Sequence, residues 1–444
     1  MATADPTDAP AGGFRLKFHP RMLGTASPVF PGFEIDISDR VQDQEKPDAV
    51  WHRERAKMMI KAHPEIKELF GNTSSTALWC LLFVALQIVL AIAVSQVDLW
   101  VGLLVAYLFG SWVNIILFTL AHECNHNLVF RKTIWNRWLF TLTTIPMFLS
   151  GHHTWWVEHH VHHNDLGAKK DFIKRRRSVL LLTKQRVLVF TKGPIHTLFS
   201  WFSTPLFQPY ALVMLTTQAA RSMLGLLIYA CELPFRCKLE ASDRAVAVLA
   251  DEHLVSGYER YGIRRWAVVY PLLSLSLTTT MFLIGGWKSA AYLLFSQTFM
   301  TGFLHPTMFG MILSNSHFHG HSNYQPSASY YGWYNRLTFN FGLHTEHHDI
   351  AGIPWSRLPR LRQIVPEAYD DLVKTRSYYL LALKFVFCSR SGLARDFGNE
   401  IRRNIEMNAE AATDLSDEVT GDWAIALEVP TPVGMVNCED ESVG

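Results

Sequence analysis

The chain has 444 residues, of which 49% are hydrophobic, 13% aromatic and only 18% charged. Soluble globular proteins carry about 25% charged residues, so this profile excludes a disordered or fibrous protein and points to a membrane. The formal net charge of +2 hides an asymmetry: ten of the 39 acidic residues lie between Asn404 and Gly444, with no Lys or Arg among them, which leaves a basic body and an acidic tail.

A basic body suits an anionic membrane surface or an acidic protein partner. No nucleic-acid-binding motif occurs, so no nucleic acid partner is expected. The 6 cysteines form no CxxC pair, which argues against a disulfide framework or a zinc ribbon. Residues 1–50 read as a polar N-terminal segment without the pattern of a secretory signal peptide. Trp51 to Phe70 mixes charged and apolar residues and predicts a helix lying at the membrane interface. Thr76 to Gln96 contains no Asp, Glu, Lys or Arg and is long enough to cross a hydrocarbon core of about 30 Å. A second uncharged run, Leu99 to Leu120, follows Val97-Asp98, so the two predict an antiparallel hairpin. Trp266 to Gly286 and Ala290 to Leu313 repeat this arrangement across Trp287-Lys288-Ser289.

The expected fold is an all-α integral membrane protein. Four transmembrane helices, near 76–96, 99–120, 266–286 and 290–313, form two hairpins beneath a cytosolic helical cap that holds a histidine-rich di-metal site. Trp138 to Ser150, broken by Pro146, suits a re-entrant or interfacial segment, and Val187 to Cys231 an interfacial layer. The membrane domain covers 51–390, and residues 391–444 form an acidic tail expected to be disordered. Arg131, Lys132, Arg137 and the basic run Lys169 to Arg177 all lie between the hairpins, whose turns carry almost no basic residues. By the positive-inside rule both termini and the central region face the cytosol.

Twenty histidines are present, and three clusters stand out. The first, His122 to His126, is an HxxxH directly after the second span. The second contains His159, His160, His162 and His163, and the third His344, His347 and His348; both are HxxHH. On a helix, positions i, i+3 and i+4 share one face and can aim three nitrogens into one small volume. The hairpin reading places all of them on the cytosolic side. Eight imidazoles exceed what one metal uses, and two six-coordinate ions fit better; imidazole suits Fe, Zn, Cu and Ni, so the ligand count does not choose among them. A non-catalytic metal receptor or transporter would place its ligands at mid-membrane depth. The spans are nearly free of ionisable groups, with His305 the exception; it either lines a substrate tunnel or bonds a neighbouring backbone carbonyl.

With these motifs in view, the sequence resembles membrane fatty-acyl desaturases and hydroxylases, and within them the sphingolipid delta-4 desaturases. The resemblance rests on PEIKELF (64–70), HECNHN (122–127), WNRW (135–138), EHHVHHNDLG (158–167), FLHP (303–306), SYYG (329–332) and LTFNFGLHTEHHD (337–349). It departs at LGAKKDFIKRRR, which is basic where close relatives are acidic, and in a longer stretch from about 178 to 264.

The resemblance implies a centre of two non-haem iron ions that uses O₂ and two electrons, delivered from NADH through a reductase and cytochrome b5. It implies a ceramide-like lipid substrate in the bilayer and a location in the endoplasmic reticulum membrane. No HPGG haem-binding motif occurs, so the cytochrome b5 is expected as a separate protein. The implied ligands are His122, His126, His159, His162, His163, His344, His347 and His348, with His160 the spare. A further ligand is placed at His317, with His319, His321 and Asn315 competing. Glu123, Asn127, Glu346 and Asp349 either orient these imidazoles or are plain solvated groups. The run Lys169 to Arg177 either faces lipid headgroups or docks cytochrome b5. His52 is expected at the surface and tolerant of replacement.

Overall fold

A computed structural model of the chain describes residues 14–17, 29–30, 35–36, 47–147, 152–164, 166, 266–301, 305, 307, 326–370, 372 and 374–379. Val187 to Cys231, the run Lys169 to Arg177, Asn315, His317, His319, His321 and the acidic tail lie outside these residues. The first elements are short strands: β1 (Phe14–Lys17) pairs antiparallel with β2 (Val29–Phe30) and parallel with β3 (Ile35–Asp36).

Helix α1 (Pro47–Ala62) departs from expectation. The segment 51–70 is not one interfacial helix. Pro64 cannot continue an α-helix, and a 3₁₀ helix, Pro64–Leu69, follows. One side of α1 is also buried in protein: Trp51, His52, Arg55 and Met59 are all inaccessible. Trp51 and Met59 pack with Ile66, Leu361 and Tyr369 in an apolar cluster that joins α1 to the C-terminal end of the described chain. Each large apolar side chain buried there contributes about 1.5–3 kcal/mol.

Helix α2 (Thr76–Val94) and α3 (Leu99–Asn125) are both long and apolar enough to cross a membrane. They are joined by the short segment 95–98. Leu78, Leu81, Leu82, Leu86 and Val89 of α2 are exposed, as suits a lipid-facing stripe. α3 contains a single π turn, Ala106–Gly110. From Val113 onward every residue of α3 is buried, and the helix runs without a break past Leu120 to Asn125.

Helix α4 (Thr133–Thr144) packs on α3. It buries Leu139 and Phe140 and exposes Ile134, Trp135, Trp138 and Leu142. An apolar outward face on a short helix fits the interfacial position expected of this region. Helix α5 (His152–Asn164) carries the second histidine cluster.

Helix α6 (Trp266–Thr301) leaves helical geometry at Gly286, where φ is 67° and ψ −167°. A left-handed φ of this kind is easy only for glycine. Close approach to α2 and α3 relies on small and polar residues, as in membrane helix packing. A Cβ on Gly110 would meet the Ser296 hydroxyl and the Tyr292 phenolic oxygen. Gln87 donates to Asn114 Oδ1 (2.9 Å), Tyr292 donates to Gln87 Oε1 (3.1 Å), and Ser111 donates to the Ser296 carbonyl (3.2 Å). Lys288 Nζ reaches the Val97 carbonyl at 2.7 Å, so the Gly286 bend sits beside the α2–α3 turn. His305 takes the second of its two expected roles: Nε2 lies 3.1 Å from the Tyr107 carbonyl and Nδ1 2.6 Å from Thr307 Oγ1.

The remaining elements form the cap. Strand β4 (Ser329–Tyr330) pairs in parallel with β5 (Lys374–Thr375). Between them lie α7 (Tyr334–Leu337), α8 (His344–Asp349) with the third histidine cluster, and α9 (Leu358–Ile364).

Candidate metal centre

Three helices bring the histidines together. α3 supplies His122 and His126, α5 supplies His159, His162 and His163, and α8 supplies His344, His347 and His348. Among the described residues they form two groups. His122, His126, His159, His163 and His347 make the first, and His162, His344 and His348 the second; within each, the available nitrogens lie within 4.8 Å of one another.

The division follows helix geometry. In each HxxHH box the i, i+4 pair goes to one group and the i+3 residue to the other. His159 and His163 join the first group while His162 turns to the second; His344 and His348 join the second while His347 turns to the first. The two boxes thereby exchange one ligand each, and the HxxxH pair of α3 completes the larger group. His160 stands outside both groups, its ring 5.9 Å from that of Trp156.

The contacts inside the first group are nitrogen to nitrogen. His126 Nε2 lies 2.8 Å from His159 Nε2, and His347 Nε2 lies 3.2 Å from both His126 Nε2 and His163 Nε2. His163 stacks on His348 across the groups, with centroids 4.2 Å apart. Burial, reinforced by the neighbouring histidines, holds His126, His159, His163, His347 and His348 well below the usual imidazole range. Burial and then Arg137 bring His160 down to about 4. Neutral imidazoles whose Nε2 atoms converge present lone pairs to one another. Such a set fits a divalent cation, the usual partner of neutral imidazole.

The four residues expected to orient the imidazoles have separate fates. Glu123 Oε2 accepts the Trp355 backbone N–H at 3.0 Å, while its other oxygen is 3.9 Å from His122 Nδ1. Glu123 therefore ties α3 to the loop after α8. Asn127 has φ 59° and closes α3: its N–H reaches the Cys124 carbonyl (3.1 Å), and the Leu128 N–H reaches the Glu123 carbonyl (3.0 Å). This is a Schellman ending with Asn in the left-handed position, and it makes His126 the C-cap of α3. Glu346 accepts the hydroxyls of Ser329 and Tyr331. Burial raises its pKa, against those two hydrogen bonds.

Asp349 is the most heavily engaged of the four. His52 Nδ1 lies 2.6 Å from Oδ1, and Arg55 forms a fork onto both oxygens at 3.0–3.2 Å. Burial alone would raise the Asp349 pKa, but Arg55 and His52 lower it below the usual carboxylate value. His52 is 3% exposed, so the expectation of a tolerant surface histidine is corrected. Its position follows from α1 docking on α8, a contact between residues almost 300 positions apart that no local pattern announces.

Comparison with known proteins agrees with this geometry. The fatty acid desaturase family model matches residues 98–379, and a sphingolipid Delta4-desaturase model matches residues 42–74. A sphingolipid delta(4)-desaturase from Schizosaccharomyces pombe is 28% identical over 358 residues, covering 77% of this chain and 83% of the relative. A DES1-like sphingolipid delta(4)-desaturase from Oryza sativa subsp. japonica is 28% identical over 74% of this chain and 83% of its own. A sphingolipid delta(4)-desaturase/C4-monooxygenase from Rattus norvegicus is 30% identical over 76% of this chain and 88% of its own.

Proposed function

The chain belongs to the fatty acid desaturase family, and from that membership we propose that it is an O₂-dependent desaturase of the sphingoid chain of a ceramide-like lipid. The observation that carries this reading is the convergence of eight histidines from three helices into two groups, within the stretch that the family model matches. The match to the sphingolipid model over α1 and the names of the relatives support the substrate class.

The chemistry explains the need for metal. An unactivated methylene C–H bond lies beyond any side-chain acid or base. His122, His126, His159, His163 and His347 would hold one iron ion and His162, His344 and His348 a second, and the pair would supply O₂ activation and hydrogen abstraction when bound. Their identity as iron rests on family membership, since the donor set also suits other metals. The second group has fewer nitrogens than the first, and His317 is the sequence candidate for a further ligand. Burial keeps His126, His159, His163, His347 and His348 neutral, so each of these offers a lone pair without first losing a proton. Continuation of α3 to Asn125 carries the first ligands beyond the end of the apolar run.

The reading includes four spans in two hairpins, with α6 reversing at Gly286 to supply both spans of the second. The hydrogen bond from Lys288 to Val97, which puts both turns together, supports it. Exposed Trp100 and Trp287 near those turns, and exposed Trp79, Trp135 and Trp138 at the other end, fit the two aromatic belts of a membrane protein. The histidine centre then faces the cytosol from the endoplasmic reticulum membrane, within reach of a separate cytochrome b5.

Hydroxylation is the second reading, because the name of the Rattus norvegicus relative carries both activities. Expression in cells that lack their own sphingolipid desaturase, followed by lipid mass spectrometry, separates them. Desaturation yields a ceramide lighter by two hydrogen atoms; hydroxylation yields one heavier by one oxygen. An unchanged sphingolipid profile with folded, iron-loaded protein and a competent donor contradicts both.

A further inference from the structure

We propose that α1 is a clamp on the third histidine box, with His52 as the positioning residue that holds His348 in the second metal group. The inference rests on the metal reading above and adds a residue that no histidine-box pattern contains. Asp349 directly follows His348 at the end of α8. Its carboxylate is fixed on one oxygen by His52 Nδ1 and on both by the Arg55 fork. All three side chains are at most 4% exposed, so water does not compete for these bonds.

His52 reaches α8 by a second route. Its Nε2 lies 3.2 Å from Ser327 Oγ, and Ser327 donates to Thr345 Oγ1 at 3.1 Å. Both ring nitrogens are thus engaged with protein, and His52 belongs to neither metal group. Its ring lies 5.2 Å from that of His348. The clamp is anchored away from the histidines: Arg55 Nη2 donates to the Ala368 carbonyl at 2.8 Å, and its guanidinium covers the Trp51 ring at 4.4 Å.

The location of the clamp has a consequence for the family. The desaturase match begins at residue 98, whereas His52 and Arg55 fall inside the 42–74 match to the sphingolipid model. A segment specific to the sphingolipid branch therefore completes the support of a centre built from the common desaturase region. Partners of this kind, which orient a ligand without touching metal, typically alter metal affinity by about 10–100-fold when removed.

The test compares the purified full-length chain with His52→Asn and His52→Gln. The Asn amide nitrogen replaces Nδ1 toward Asp349; the Gln amide replaces Nε2 toward Ser327 and gives up the carboxylate. Iron per chain is measured by elemental analysis across a chelator titration, and fold by circular dichroism. The clamp predicts that His52→Gln stays folded and gives up one of its two irons at about 10–100-fold lower chelator concentration, while His52→Asn tracks the wild type. Retention of both irons by His52→Gln overturns the proposal. So does equal loss from both variants, or a His52→Gln chain that fails to fold. A wild-type chain that binds no iron contradicts the metal reading itself, and the two failures are thereby distinct.

Discussion

At the scale of single residues, Asn127 separates a helix ending from a metal-tuning role. Its backbone adopts the left-handed conformation that closes α3 behind His126. Glycine accepts that conformation, whereas alanine pays about 1–2 kcal/mol. Asn127→Gly is therefore expected to keep both stability and metal content, and Asn127→Ala to lower the melting temperature; iron lost from Asn127→Gly would contradict the assignment. The ligands themselves behave differently: His162→Ala and His347→Ala are each expected to abolish lipid conversion and to lower bound metal. The depressed histidines also set a pH dependence. Unfolded imidazoles take up protons near 6.5, but the buried ones resist until much lower pH. Below about 6.5 the unfolded chain binds more protons, so stability is complete above that value and is lost as pH falls toward the depressed pKa values. The metal-free protein should melt at steadily lower temperature from about pH 7 to pH 5, and a flat profile would contradict neutral buried histidines. The eight clustered histidines were legible because their spacing is local. His52 was not, because its partner Asp349 lies 297 residues away and only docking of α1 brings them together.

At the scale of elements, two glycines predict opposite kinds of damage. Gly110 is the close contact between α3 and α6, where a Cβ would strike Ser296 and Tyr292. Gly110→Val should force these helices apart and cost about 1–3 kcal/mol by overpacking, read as a lower melting temperature in detergent. Gly286 has open space around it but a φ of 67°. Gly286→Ala should therefore cost only backbone strain, about 1–3 kcal/mol, because this backbone conformation is essentially open to glycine alone. An unchanged melting temperature for Gly110→Val would contradict this close packing. The uncharged runs gave α2 and most of α3 directly. The chain continued as helix beyond Leu120 because Asn127, not the end of the apolar run, terminates it. The reading of 51–70 as one helix failed at Pro64, and its mixed composition did not announce the cluster with Leu361 and Tyr369 that one side of α1 joins.

At the scale of the whole molecule, the proposed arrangement is a two-hairpin membrane body whose histidine helices meet beneath a cytosolic cap held by α1. Single cysteines introduced at Asp98 and at Lys61 into a cysteine-free background should label from opposite sides of sealed microsomes; labelling from one side would contradict the topology. Uncharged runs and histidine spacing made the two long apolar helices and the clustered histidines readable from the chain. The split of the ligands into two groups was not, because it depends on how α5 and α8 are turned toward one another. Desaturation of a sphingoid chain is the activity that this assembly is proposed to carry out. The most direct measurement supplies a saturated ceramide-like lipid to the purified, iron-loaded protein in nanodiscs, with NADH, a reductase and cytochrome b5, and analyses the lipid with and without O₂. The account predicts an alkene in the sphingoid chain that forms only with O₂ and is absent with His347→Ala. An intact lipid after O₂ exposure of a protein shown to hold two irons would contradict it.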